Sequence, residues 1–240
     1  MIIPRRGDGS RLETFSDAML AFACALLVIS LEVPHGYADI VQSIRGYIPF
    51  GLTFAAILLI WIAHKNLFRR YPLDDPYTVV VNGIFLFTVL FYAYPLKWIA
   101  GSLVTLVFSG DASQTILSNP DQLRNLFFVY GMGWIVVFFC IALLYLHAAR
   151  NSESLGLSEI ETYDAVSDAM YYLSFVLGGA ISVILAFANV GVGEGFPALA
   201  YISIGFFAVA VTIIRRRYRP DTLEAAIAPS PMRIPEAPHD

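Results

Sequence analysis

The sequence predicts an all-α, polytopic membrane protein with six transmembrane helices and both termini in the cytoplasm. Hydrophobic residues make up 58% of its 240 residues and charged residues only 14%, and the mean hydropathy is +0.67. A soluble domain of this length is rarely so apolar. The apolar residues form six runs, each long enough to cross a bilayer core of about 30 Å as a helix. The distribution of basic residues then sets the orientation.

The first apolar run is predicted to be a retained transmembrane helix. It covers residues 14–33, and Ser10 and Glu13 form a capping pattern that starts the helix before the apolar part. Because Arg5 and Arg6 precede the run, a signal peptide is the alternative. The run is longer than the apolar region of a signal peptide, and no small-residue cleavage site follows it, so we expect it to be retained.

Five further spans follow, at residues 47–68, 77–95, 126–147, 165–187 and 198–214. Pro95 is predicted to kink or end the third helix, and the apolar residues 96–108 either continue it or lie along the membrane surface. Ser158 and Glu161 form a second capping pattern, which opens the fifth helix. Residues 220–240 are rich in proline and are predicted to be a disordered cytoplasmic tail. Residues 1–219 are therefore predicted to be the transmembrane domain.

The basic residues are unevenly divided between the two sides of the membrane. Six spans put both termini on one side, together with twelve of the fifteen lysines and arginines; only Arg45, Lys97 and Arg124 lie on the other side. By the positive-inside rule, the side of the termini is the cytoplasm. Five or seven spans would spoil this asymmetry. We expect a multi-pass protein of the cell inner (plasma) membrane.

Several functions are disfavoured by the sequence. The basic residues flank apolar runs and form no continuous stripe, so no nucleic-acid partner is expected. Cys24 and Cys140 both fall within predicted spans, where they act as small apolar side chains. No histidine box, nucleophile elbow or metal-ligand spacing occurs in a span, so we expect neither an enzyme nor a cofactor or metal site.

Polar residues of three helices fall at a similar depth in this topology. Ser16 and Asp17 start the first helix, Trp61 and His64 lie near the end of the second, and Asn82 is one turn into the third. An acid, an imidazole and an amide can satisfy one another where water is scarce, so Asp17, His64 and Asn82 are predicted to form a cluster. The alternative is that Asp17 meets headgroups while His64 reaches the interface.

The same residues carry a family resemblance. The motifs are Arg11, Phe15, Ser16 and Asp17 in the first helix, Trp61, His64 and Phe68 in the second, and Asn82 in the third. They resemble the transmembrane protein 175 family, the endolysosomal potassium channels and their bacterial homologues. The resemblance implies a homotetramer in the bilayer whose central pore, lined by the first helix of four subunits, conducts monovalent cations and chiefly K+. It also implies that residues of helices 2 and 3 hold the Phe-Ser-Asp region.

The family pattern assigns the pore constriction to Phe22, Leu26 and Ile29, which share one helical face. Narrow apolar rings expel water and could gate a pore. Without the resemblance, these residues would be read as lipid-facing or packing residues. Family members commonly have threonine where this chain has Ala25, which lacks a hydroxyl for a dehydrated cation, so the sequence leaves ion selectivity open. No Thr-Val-Gly-Tyr-Gly filter is present.

A proton-coupled secondary transporter is the alternative function. Asp17, His64 and Asp168 would be its relay groups. Asp168 belongs to a Ser-Asp-Ala-Met run that repeats the one around Asp17. We attribute this echo to chance or to a second polar contact at the cytoplasmic level.

Overall fold

The computed structural model describes residues 11–29, 37–109, 120–192 and 196–218. These residues form helices and turns, and no strand occurs within them. Six stretches are long and apolar enough to cross a membrane, which confirms the all-helical, six-span prediction. The spans are Arg11–Ile29, Tyr47–Arg70, Pro76–Ala93, Asp121–Arg150, Glu159–Phe187 and Phe196–Arg215.

The helices are numbered in chain order. They are α1 (Arg11–Ile29), α2 (Tyr37–Arg70), α3 (Pro76–Ser109), α4 (Pro120–Arg150), α5 (Glu159–Phe187), α6 (Phe196–Leu199) and α7 (Ser203–Tyr218), with a 3₁₀ turn at Ala200–Ile202 between the last two. The sixth span is thus α6, the 3₁₀ turn and α7 together. Ser10, residues 30–36 and the predicted tail at 220–240 lie outside the described residues.

Two helices are longer than their apolar spans. The second begins at Tyr37 and includes Pro49 in its interior. The third does not end at Pro95: it continues to Ser109, so its 34 residues extend over about 50 Å. The alternative left open for residues 96–108 is therefore decided in favour of a continuing helix.

The helices form two adjoining groups around one core. The first helix packs against α2 and α3, whereas α4 packs along α5 and α7 lies against α5. Both groups contribute to the main cluster of buried residues, including Leu67, Phe85, Ile141 and Ala165. The first helix therefore lies at one edge of the chain, with α2 and α3 as its principal partners.

Glycines bring α4 and α5 close together. A Cβ on Gly179 would lie 2.9 Å from Trp134 Cδ1 and 3.0 Å from Ile135 Cγ1, and one on Gly131 would lie 2.3 Å from Val183 Cγ2. Small residues at a helix crossing permit such an approach, which membrane helices use widely. The two helices accordingly make the most extensive helix–helix contact in the described part of the chain.

Capping residues fix the turns at the Arg70 end of the bundle. Asp75 accepts hydrogen bonds from the backbone N–H of Tyr77 (3.1 Å) and from Thr78 Oγ1 (2.5 Å), and Pro76 follows as the first residue of α3. The capping pattern predicted for α5 is confirmed: Ser158 and Glu161 bond each other's backbone N–H groups. Both helix starts are therefore determined by local sequence.

Candidate functional site

One face of α1 attaches it to the rest of the chain. Its buried residues are Ser16, Leu20, Ala23 and Leu27, at spacings of four, three and four. This spacing makes one stripe along a helix. Leu27 packs with Ile57 of α2 and Ala93 of α3 in a small apolar cluster. The polar Ser16 at the other end of the stripe needs hydrogen-bond partners.

A buried chain of hydrogen bonds joins three helices at Ser16. Asn82 of α3 donates from Nδ2 to Ser16 Oγ (2.7 Å), and Ser16 Oγ donates to the Leu12 carbonyl of its own helix (2.7 Å). The Oδ1 atom of Asn82 lies 2.8 Å from His64 Nε2 of α2. Because this oxygen can only accept, Nε2 is the donor in this arrangement. Ser16, His64 and Asn82 are each completely buried.

The rings around His64 fix its orientation. Phe68 and Phe85 lie with ring centroids 4.6 Å and 5.0 Å from the imidazole centroid. The second ring nitrogen, Nδ1, is buried and has no hydrogen-bond partner among the described residues. A proton added there would have no acceptor. The imidazole thus works as a packed donor to Asn82.

Asp17 takes part in a separate hydrogen bond, beside those that join Ser16, Asn82 and His64. Trp61 Nε1 donates a 2.8 Å hydrogen bond to Asp17 Oδ1. The Lys65 ammonium lies 4.5 Å from the Trp61 ring centroid, a cation–π distance. The sequence predicted a cluster of Asp17, His64 and Asn82; instead, His64 and Asn82 join Ser16, while Asp17 joins Trp61.

The predicted pore residues share the outer face of α1. Phe22, Leu26 and Ile29 are 53%, 38% and 75% exposed in the single chain, and Ala25 beside them is also exposed. Arg11 and Phe15 are exposed on the same helix. These six residues lie outside the buried stripe that attaches α1 to the rest of the chain. Within the described residues, no three histidine, cysteine or acidic side chains lie close enough to hold a metal ion.

Four charged side chains form a cluster that the sequence did not predict. Asp164 and Asp168 of α5 each accept hydrogen bonds from both Arg70 of α2 and Arg215 of α7. Three of these contacts span 3.2 Å, 2.7 Å and 2.9 Å. Only Asp168 had been singled out. Two like charges four residues apart on a helix repel, so the Asp164–Asp168 spacing was a signal that cations lie nearby.

Known proteins resemble this chain in sequence. The family model described as "Endosomal/lysosomal potassium channel TMEM175" matches residues 11–92, which include the motif residues of the first three helices from Arg11 to Asn82. A potassium channel of Marivirga tractuosa is 34% identical over 182 residues, covering 73% of this chain and 74% of the relative. A potassium channel of Chamaesiphon minutus is 30% identical over 109 residues, covering 42% of this chain and 54% of the relative.

Solved structures resemble it in fold. A variant of the potassium channel MtTMEM175, crystallised with a nanobody fusion protein, has a TM-score of 0.80 and 29% identity, covering 90% of this chain and 97% of that one. A TMEM175 homologue from Chamaesiphon minutus has a TM-score of 0.51 and 24% identity, covering 85% and 97%. With six membrane spans, the motif residues within the matched region and a relative similar over most of both chains, this multi-pass membrane protein belongs to the TMEM175 family.

Proposed function

We propose that this protein is a potassium channel whose pore is lined by α1 from four copies of the chain. The bacterial relatives of similar sequence are named potassium channels. The observation on this chain that carries the pore assignment is the division of α1 into two faces. A stripe at Ser16, Leu20, Ala23 and Leu27 anchors it, and the opposite apolar face is uncovered.

The uncovered face has the composition of a hydrophobic gate. Phe22, Leu26 and Ile29 would form successive rings along the axis when four copies meet. A narrow apolar ring excludes water and strips a cation of hydration, so conduction requires the rings to widen. Ala25 lies among these residues and has no hydroxyl to coordinate a cation. The apolar rings would therefore control permeation without a polar ligand from that position.

The polar contacts of Ser16 and Asp17 would hold the pore helix in place. Ser16 is tied to α3 through Asn82, and Asp17 is tied to α2 through Trp61. Two attachments to different helices resist both rotation and sliding of α1. The excess of basic residues near this level supports a cytoplasmic location for it and for both termini, at an inner membrane.

A transporter relay gains no support from the same contacts. Asp17 bonds Trp61, and Asp168 is engaged by Arg70 and Arg215. His64 is hydrogen-bonded to Asn82 and to neither Asp17 nor Asp168. The three groups therefore form no continuous path for a proton.

Current recording from purified protein in planar bilayers, under opposed K+ and Na+ gradients, tests the proposal. We expect a K+ current that increases in Leu26→Ala, because the ring becomes wider. Leu59→Ala, on α2 and 67% exposed, is the matched control and should behave as the parent. A folded preparation with a mass of four 26.5-kDa chains that passes no current in any of the three forms would refute the proposal.

A further inference from the structure

A polar pocket lies beside the four-charge cluster. Its volume is about 350 Å³, and it is bordered by α2, α4, α5 and α7. Arg69, Arg70 and Arg215 line it together with Asp168, Tyr145 and Thr212. Three guanidinium groups thus face one small space in an otherwise apolar bundle.

The pocket lies at the membrane boundary. Arg70 is the last residue of the second span and Arg215 is the last residue of the sixth. Asp168 is in the third turn of the fifth span, which begins at Glu159. Helices that end together at one surface put their terminal side chains at the depth of lipid headgroups.

The charges leave an excess of positive potential. Arg70, Arg215, Asp164 and Asp168 balance one another in pairs. Arg69 is exposed on the rim of the pocket and forms no ion pair within the described part of the chain. The Glu13 carboxylate of α1 lies within electrostatic range of the Arg69 guanidinium, which is exposed and lines the pocket.

Hydrogen-bond donors also remain available. Arg70 and Arg215 each give one N–H of each terminal nitrogen to a carboxylate, and a guanidinium has more N–H groups than these. Planar guanidinium donors suit phosphate oxygens. The aspartates keep both arginines in position, so a phosphate would meet donors that are already oriented.

We propose that this pocket binds the phosphate of an anionic lipid headgroup. Basic pockets between transmembrane helices are suited to such headgroups. The apolar surfaces of α2 and α7 that continue into the membrane offer contacts for acyl chains, since Ile62 and Ile213 are exposed on these helices. A free phosphate could accept the same hydrogen bonds, but it has no acyl chain to contact these apolar surfaces.

Native mass spectrometry of the purified full-length protein in detergent tests this site. The probes are phosphatidylglycerol, phosphatidylcholine and inorganic phosphate. We expect phosphatidylglycerol to be retained in preference to phosphatidylcholine, and Arg69→Gln to weaken its binding about fivefold, as expected for one basic residue. Arg217→Gln is the matched control, because Arg217 is exposed on α7 but does not line the pocket.

The outcomes separate the alternatives. Loss of phosphatidylglycerol binding in Arg69→Gln and its retention in Arg217→Gln would support the site. Equal retention in both variants, or an equal loss in both, would overturn it. Binding of inorganic phosphate without preference for phosphatidylglycerol over phosphatidylcholine would overturn the lipid assignment. Both variants change exposed residues, and unchanged thermal melting would show that they remain folded.

Discussion

Asn82 Nδ2 of α3 donates a 2.7 Å hydrogen bond to Ser16 Oγ of α1, and both side chains are completely buried. This bond ties the helix with the uncovered apolar face to the rest of the bundle. Because Asn82 also contacts His64, one amide satisfies groups from two other helices. Removing it would leave two buried polar groups without this partner.

The Ser16–Asn82 bond should appear as a coupling energy between the two residues. We expect Asn82→Ala to lower the free energy of unfolding by about 1–3 kcal/mol, since buried polar groups lose their partner. Combined with Ser16→Ala, the two losses should be less than additive by about 0.6–1.7 kcal/mol, the range for hydrogen bonds between membrane helices. Unfolding by SDS in mixed micelles measures both quantities.

Two controls accompany that cycle. Thr88→Ala removes a partly exposed side chain of α3 whose hydroxyl donates to the Ile84 carbonyl of its own helix, and it should have little effect. The pair Asp17→Asn and His64→Ala should be close to additive, because no hydrogen bond joins these residues. If the effects of Ser16→Ala and Asn82→Ala were additive, this would contradict the claim that the hydrogen bond between these residues attaches α1 to α3.

Much of this architecture follows from the sequence. The six spans can be predicted because a helix in lipid must form its backbone hydrogen bonds internally and expose apolar side chains. Ser158 and Glu161 mark the start of α5 because capping is a local interaction. The start of α2 at Tyr37 was not predicted, since its first residues precede the apolar run that set the boundary.

Contacts between distant segments were harder to predict. Similar depth suggested that Asp17, His64 and Asn82 meet, but depth says nothing about the rotation of a helix, and the residue of α1 that bonds Asn82 is Ser16. Trp61 rather than His64 therefore emerged as the partner of Asp17 only from the packing. The partners of Asp168 lie 98 and 47 residues away, and no local pattern joins them.

The close crossing of α4 and α5 should make Gly179 intolerant of a side chain. Gly179→Ala would force its Cβ to within 2.9 Å of Trp134 Cδ1, and we expect a loss of about 1–3 kcal/mol in unfolding free energy from overpacking. Gly205→Ala on α7 is the matched control, because its Cβ meets nothing within 4 Å. Equal effects in the SDS titration would argue against a tight crossing.

Asp75 should make a stability contribution that depends on pH. Desolvation raises its pKa, but the hydrogen bonds from Thr78 and His147 outweigh it and hold the pKa below the ordinary value of 3.8. A carboxylate whose pKa is lower in the folded state stabilises the fold fully at a pH above its unfolded-state pKa. This contribution is lost as the pH falls through the folded-state pKa. Asp75→Asn should therefore cost stability at pH 7 and progressively less below pH 3.8.

Thermal melting in detergent across that range measures the difference between parent and variant. The adjacent Asp74 is exposed, so Asp74→Asn supplies the control for removal of a surface carboxylate and should melt close to the parent at pH 7. A difference between the parent and Asp75→Asn that stays constant down to the lowest pH would contradict the assignment.

The four-charge cluster should stabilise the junction of α2, α5 and α7. The Asp164 side chain is 5% exposed and pairs with two arginines, so Asp164→Leu leaves both cations to share the single carboxylate of Asp168 and should cost about 3–5 kcal/mol. Asp121→Leu, at a residue whose side chain is 79% exposed and paired with Arg124, should cost less than about 1 kcal/mol. Similar costs in SDS unfolding would show that the cluster contributes no more than a surface ion pair.

The central claim is that the face of α1 containing Leu26 lines a potassium pore. The most direct measurement starts from a variant with Cys24→Ala and Cys140→Ala, which removes both native thiols. Leu26→Cys or Leu59→Cys is then added, and K+ current is recorded before and after treatment with a charged thiol-specific reagent. We predict that modification blocks the current of Leu26→Cys and leaves that of Leu59→Cys unchanged. An unchanged current in Leu26→Cys whose modification is complete by mass, or equal block at both positions, would contradict the account.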